Sequence, residues 1–230
     1  MNKVKVGYFS FTEITDPNEH RSYNEWHQLD HLPEQYPLPG VAFGQRWVST
    51  PACRVARAVD ELPLRPIHYV TLYLMTEPVK ETLDDFIALG QRLRDLNRFH
   101  LRRRSHLSGP FEVLTTHAST RVLISAEAVP YRPNRGVYVM VEDLVEAERF
   151  DVDLVDLVSV PGVAGVWAFG SANQQITVCY LDDEPLTVGD WLRPSLAKRW
   201  EHPSLHPVFA GPLETIVPWQ WDWFDKPEET

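Results

Sequence analysis

Two periods run along the chain. Over residues 67–76 polar and apolar positions alternate, with Val70, Leu72 and Leu74 on one side and Tyr69, Thr71 and Tyr73 on the other, the pattern of a β-strand. A few residues on, Leu83, Phe86, Ile87, Leu89 and Leu93 recur at the 3.6-residue spacing of an amphipathic helix. Read in this way, the chain predicts strands at 3–13, 41–50, 67–76 and 111–126, with helices at 22–35 and 80–104. A second series follows, with strands at 136–142, 163–171, 174–182 and 208–219 and helices at 143–158 and 187–200. Pro51, Pro63 and Pro66 mark 51–66 as a loop, and 126–135 reads as a linker.

The two series share sequence as well as order. Pro39-Gly40-Val41 returns as Pro161-Gly162-Val163, Tyr73-Leu74-Met75-Thr76-Glu77-Pro78 as Tyr180-Leu181-Asp182-Asp183-Glu184-Pro185, and Gly109-Pro110-Phe111-Glu112 as Gly211-Pro212-Leu213-Glu214. Three matches in the same order argue for a duplicated unit with a shortened second copy. The order βαββαβ is that of the ferredoxin-like split βαβ unit, an antiparallel sheet with both helices on one face. The expected fold class is therefore α+β, with tandem ferredoxin-like repeats at 1–126 and 127–230. Each sheet needs cover on its second face, and the other copy supplies it, forming an intramolecular α/β barrel with a cavity between the sheets.

Composition narrows the function. With 43% hydrophobic and 23% charged residues the chain is that of an ordinary globular protein, and it contains no apolar run of the length a membrane span requires. The N-terminus lacks a secretory pattern, and Cys53 and Cys179 form neither a disulfide framework nor a metal spacing, so a cytoplasmic protein is expected. The net charge of −10 arises in the second half, where 116–230 carries 8 basic and 18 acidic residues against 14 of each in 1–115. That balance argues against a nucleic-acid partner. The one basic cluster, Arg92, Arg94, Arg98 and Arg102-Arg103-Arg104, is expected at a helix C-terminus, where the helix dipole favours cations, with an anion site as the alternative.

Candidate chemistry concentrates in the first helix. Ser22 and Glu25 read as a capping box that starts it, and Pro33, Pro37, Pro39 and Gly40 bring it to an end. Between them Tyr23, His27, Asp30, His31 and Glu34 share one stripe, beside an apolar arc of Trp26, Leu29 and Leu32. The corresponding stretch of the second copy, 143–152, has no His, Trp or Tyr. That asymmetry suits a pseudo-dimer with one working site. The His27/His31 pair at i, i+4 has metal-ligand spacing but lacks the intervening Glu of a zinc-protease motif, and His202 and His206 sit among prolines, so no metal is expected. Trp219, Trp221 and Trp223 alternate in a segment expected to be extended, suited to packing on the barrel, to an interface or to a cavity wall.

The segment Tyr23-Asn24-Glu25-Trp26-His27, His31-Leu32-Pro33-Glu34 and Pro39-Gly40-Val41, followed by Arg46-Trp47, resembles the EthD-like branch of the dimeric α/β-barrel superfamily. The resemblance implies the barrel and a cavity-lining role for His31, Trp26 and His27. Its superfamily includes cofactor-free monooxygenases, polyketide cyclases, lactone isomerases and haem-binding branches. No motif singles out His100, His106, His202 or His206 as an axial ligand, and no cofactor is expected. The leading expectation is an enzyme of cyclase, isomerase, dehydratase or lyase type, doing acid–base chemistry on an apolar aromatic or polyketide-like carbonyl compound. His31 is its expected base, His27 its partner, and Asp30 and Tyr23 orient or donate. Trp26, Trp47, Tyr69, Tyr73 and Trp167 are the expected substrate-binding walls. The alternatives are a ligand-binding barrel without catalysis and a cofactor-free monooxygenase. A homodimer is expected.

Overall fold

The computed structural model describes residues 3–145 and 154–225. The first series supplies β1 (Val4–Ile14), β2 (Val41–Val48), a short β3 (Val59–Asp60), β4 (Tyr69–Thr76) and β5 (Arg103–Ala118). The second supplies β6 (Gly136–Leu144), β7 (Val163–Gly170), β8 (Gln174–Leu181) and β9 (Leu205–Thr215). Neighbouring strands follow the order β2-β4-β1-β5-β7-β8-β6-β9-β3, and all the pairings are antiparallel. Each half thus has the ferredoxin-like arrangement, with its first strand between its third and fourth. The halves do more than stack: β5 pairs with β7, and β2 returns to β9 through Trp47 opposite Thr215 and Val48 opposite Glu214. The main strands close on themselves, and the two-residue β3, paired with β9 alone, is left at an edge.

Both faces of this sheet are covered. Phe9, Phe11, Trp47, Leu72, Val139, Trp167, Phe169 and Phe209 fill the interior. The cavity expected between the sheets is therefore occupied by side chains, because the inward positions of both copies are large and apolar. Outside the second sheet, α5 (Val155–Val158) and α6 (Pro185–Arg199) pack through Leu157, Val188, Leu192 and Leu196 on Tyr138, Met140, Val166 and Cys179. Outside the first lie α1 (His20–Trp26), a π-turn at His27–His31, α2 (Leu32–Gln35) and α4 (Val79–Asp95), while α3 (Pro51–Val55) sits in the 51–66 connection. No described helix is long and apolar enough to cross a membrane.

Several boundaries differ from those expected. The first helix begins at His20, led in by a 3₁₀ turn that Asp16 caps, so Ser22 and Glu25 form no capping box; the Ser22 hydroxyl instead donates to the Glu19 carboxylate. Nor does Pro33 end it. The wider π-turn precedes Pro33, which lacks an N–H for the carbonyl of Leu29 and would clash with it in a regular helix. Helix α4 stops at Asp95, not at 104. Asn97 has φ 55°, Arg98 N–H donates to the Leu93 carbonyl and Asn97 N–H to that of Arg94, which together make a Schellman C-cap. The chain past it becomes β5, so Arg103 and Arg104 are strand residues and not helix-terminal cations. The second half's expected helix at 143–158 is reduced, among the described residues, to Val155–Val158, and 146–153 lie outside the description. Strand β9 ends at Thr215, and the tryptophan segment turns instead of extending: Trp221 is buried against Tyr23, Val48 and Tyr69, whereas Trp219 is 70% exposed.

Candidate functional site

Where the second sheet's outer face is packed with aliphatic side chains, the first sheet's outer face leaves a cavity of about 280 Å³ beneath the first helix and α4. Helices and strands of the first half meet there. The π-turn sends in His27 and His31, α1 sends Tyr23, and strands β1, β4 and β5 contribute Tyr8, Tyr73 and Arg103. Phe86 from α4 and Phe99 after its C-cap complete the aromatic wall. A larger open groove of about 410 Å³ lies at the other end of α4, around Val79, Leu83, Leu114 and Gly170, and Glu112 is the one ionisable residue lining it among the described residues.

The two imidazoles stand 5.1 Å apart between ring centres and at 82° to one another. Trp26 stacks on His31 at 4.6 Å and is itself held by a hydrogen bond of 2.9 Å from its indole N–H to the Arg98 carbonyl. Tyr23 meets His27 edge-on at 5.8 Å, and Phe99 meets His31 at 5.3 Å. Neither Nδ1 has a hydrogen-bond partner. Burial, followed by the guanidinium charges of Arg103 and Arg46, pushes the His31 pKa down to about 3. Burial, Arg46, His31 and Arg103 hold His27 well below the ordinary histidine range. Both rings are thereby held in the neutral form at physiological pH.

Behind this pair runs a polar support. Tyr69, buried on the outer face, bonds His20 Nδ1 at 2.9 Å and accepts from Asn24 Nδ2 at 2.8 Å. Asn24 Oδ1 in turn accepts from Arg46 Nη2 at 2.9 Å, and the Arg46 guanidinium lies 5.3 Å from the Tyr23 ring centre. On the solvent side Arg98 grips Asp30 at 2.9 Å and Glu34 at 2.6 Å, fastening the helix to the turn after α4.

The residues singled out in the sequence divide accordingly. Tyr23, His27, His31 and Tyr73 line one cavity, with Trp26 stacked on His31 as its cover. Asp30 turns to Arg98 and reaches His31 through its field alone. Tyr69 lies behind Tyr23, 5.0 Å from it, as part of the support. Trp47 and Trp167 face the barrel interior, on the opposite side of the sheet from His27 and His31. His100 is turned to Ser22 and Glu19, and His106 to Glu13. Among the described residues no three His, Cys, Asp or Glu side chains gather as a metal cage. Cys53 and Cys179 are buried, and burial pushes both thiols up to about 12, away from nucleophilic use.

Sequence reasoning quoted Arg46 only within the family-like motif and put Arg103 at a helix end, so it assigned neither to this cavity. The signal for Arg46 was present: strand alternation puts it on the face opposite Trp47, so the two cannot share a cavity. The signal for Arg103 was Asn97, whose tolerance of positive φ stops α4 early.

No family model matches the chain, and neither does any curated protein sequence. Similar solved structures exist at low identity. A protein provisionally assigned as a chlorite dismutase is 10% identical, with a TM-score of 0.54 and coverage of 96% of this chain and 98% of its own. A protein from Fusobacterium nucleatum subsp. nucleatum, provisionally assigned as a monooxygenase, is 10% identical at a TM-score of 0.53, covering 94% of each chain. An anthrone oxidase-like protein is 9% identical at 0.52, covering 93% and 92%. At such identities the likeness establishes the fold, a dimeric α/β barrel made within one chain, and leaves the chemistry to the residues of this cavity.

Proposed function

We propose that the cavity under the first helix is an acid–base active site for a small aromatic carbonyl compound, of cyclase, isomerase, dehydratase or lyase type and in the EthD-like branch of the fold. One observation carries the reading: two imidazoles held neutral, with free ring nitrogens, face an aromatic-walled cavity. Its volume of about 280 Å³ suits a one- or two-ring compound.

In this reading His31 removes a proton next to the substrate carbonyl, and the imidazolium so formed returns that proton at the position where the product needs it, directly or by way of neighbouring His27. Negative charge then develops on the carbonyl oxygen, where the positive field of Arg103 and Arg46 stabilises it. The same field makes the free imidazoles weak bases. Once the oxygen carries charge that field is offset, and protonating the ring becomes easier. Tyr23 and Tyr73 offer hydroxyls to the developing oxyanion. A homodimer remains part of the proposal, with exposed Trp219 at the contact.

The test is solvent-deuterium incorporation into aryl ketones of one and two rings, followed by NMR, with native mass spectrometry to identify any compound that co-purifies. The wild type should exchange the proton next to the carbonyl, and His31→Ala, with folding checked by circular dichroism, should lose about 10²-fold or more of the rate. Tight binding with no exchange by the wild type would make the chain a ligand carrier. Substrate-dependent oxygen uptake would move the reading to cofactor-free oxygenation, which opens with the same deprotonation.

A further inference from the structure

We infer that the ligand of this cavity carries an oxyanion on its aromatic ring system, a carboxylate or an ionised phenol, seated against Arg103. The inference deepens the acid–base reading and rests on it only in taking the cavity as a ligand site.

The argument is one of charge left without a partner. Arg103 opens β5 and enters the cavity between Phe99 and Trp26, its guanidinium carbon 4.5 and 5.4 Å from their ring centres. Its Nε is buried with no hydrogen-bond partner. Arg46 is 4% exposed and has a single neutral acceptor, Asn24 Oδ1, leaving its Nε and Nη1 buried and unpartnered. Arg94, exposed to solvent, adds a third cation at the cavity's rim. Among the described residues no carboxylate forms an ion pair with Arg103, Arg46 or Arg94. Elsewhere in the molecule the buried or half-buried guanidiniums of Arg57, Arg98 and Arg199 have Asp60, Asp30 with Glu34, and Glu142.

Of the three acids on the first helix, Asp30 and Glu34 are drawn outward to Arg98 and Glu25 is exposed, while the histidines facing the cavity are neutral. Arg103 in the cavity wall and buried Arg46 behind it thus carry charge that no carboxylate compensates, a costly arrangement away from water and a favourable one around an anion. A guanidinium fork matches a carboxylate or phenolate oxygen. The walls of Tyr8, Phe86 and Phe99 select an aromatic carrier for that charge. The buried Tyr73 hydroxyl, which has no partner, offers one more donor.

The test uses the whole chain and calorimetric titration with 2-naphthoate and its neutral isostere 2-naphthamide. A parallel arm follows the ionisation of 4-nitrophenol by its phenolate absorbance. The carboxylate form predicts that naphthoate binds about tenfold or more tightly than the amide. The phenol form predicts that the bound nitrophenol titrates about one unit or more below its value in solution. In either form Arg103→Met abolishes the effect, Arg103→Lys restores part of it, and added salt weakens the wild type's hold on the anion and not on the amide. Equal affinity for naphthoate and naphthamide together with an unshifted nitrophenol overturns the oxyanion and leaves a neutral-ligand site standing. Failure of every probe to bind overturns both.

Discussion

His27 and His31 owe their chemistry to residues far from them in sequence. Their own helix brings them together, while burial first, and then Arg46 from β2 and Arg103 from β5, hold them neutral. His20 and His68 are lowered as well, to about 4 and about 3, chiefly by burial. This gives a stability prediction with a definite sign. An unfolded chain protonates these rings near 6.5, and the folded chain resists until about 4 or 3. Between those values the unfolded state binds more protons, so stability falls as pH falls, by about 1.4 kcal/mol per pH unit for each ring that stays neutral. Thermal unfolding followed from pH 7 to pH 4.5 should show that decline, and His68→Gln should make it shallower; an equal slope in that variant would count against the neutral assignment. At this scale the helical stripe of Tyr23, His27 and His31 was legible from spacing alone. The cations were not, because a strand residue's cavity depends on which face of the sheet is filled.

Among the elements, the first helix shows how far local signals reach. Its existence and its apolar arc are visible in the sequence, but its start at His20 and its passage through Pro33 are not. Proline reads as a stop, yet one π-turn accommodates it, and that turn carries both imidazoles. The helix also needs close contact with the sheet. At Gly44 in β2 an added Cβ would stand 2.8 Å from Leu32 Cδ1 and 2.9 Å from the Tyr73 ring. Gly44→Ala should therefore press on both α2 and the cavity floor, costing about 1–3 kcal/mol of stability. Chemical denaturation would measure the loss, and an unchanged midpoint would show that α2 is free to shift. The repeated Tyr-Leu motif teaches a related lesson. Tyr73 lies on the helix side of β4, whereas Tyr180 points into the barrel, a one-residue slip that exchanges faces and that sequence similarity conceals.

For the molecule as a whole, the duplicated pattern predicted two ferredoxin-like sheets, and the closure at β2–β9 and β5–β7 came from the structure. Asn134 clasps one seam: its Oδ1 accepts from Trp47 Nε1 at 3.1 Å and from Thr215 Oγ1 at 2.6 Å. Asn134→Ala leaves the buried indole without its acceptor and should lower stability by about 1–3 kcal/mol. A change below 0.5 kcal/mol, well under that range, would mean that water replaces the clasp. The interior of the barrel is solid, so the two faces outside it are where the copies can diverge. One became an aliphatic core and the other a cavity. This chain's own elements build that cavity, and if they complete it, ligand affinity will not vary with protein concentration. An affinity that rises with chain concentration would show that a partner completes the site.

The central claim is that His27 and His31 are neutral imidazoles opening on a ligand cavity. Imidazole ¹⁵N NMR of the labelled protein, titrated from pH 8 to pH 5 and then with 2-naphthoate, reads it directly. The account predicts that both rings keep neutral-form shifts across the range, below the ordinary value of 6.5, and that both move on adding the probe. Rings that take up protons near 6.5, or that ignore the probe, would contradict it.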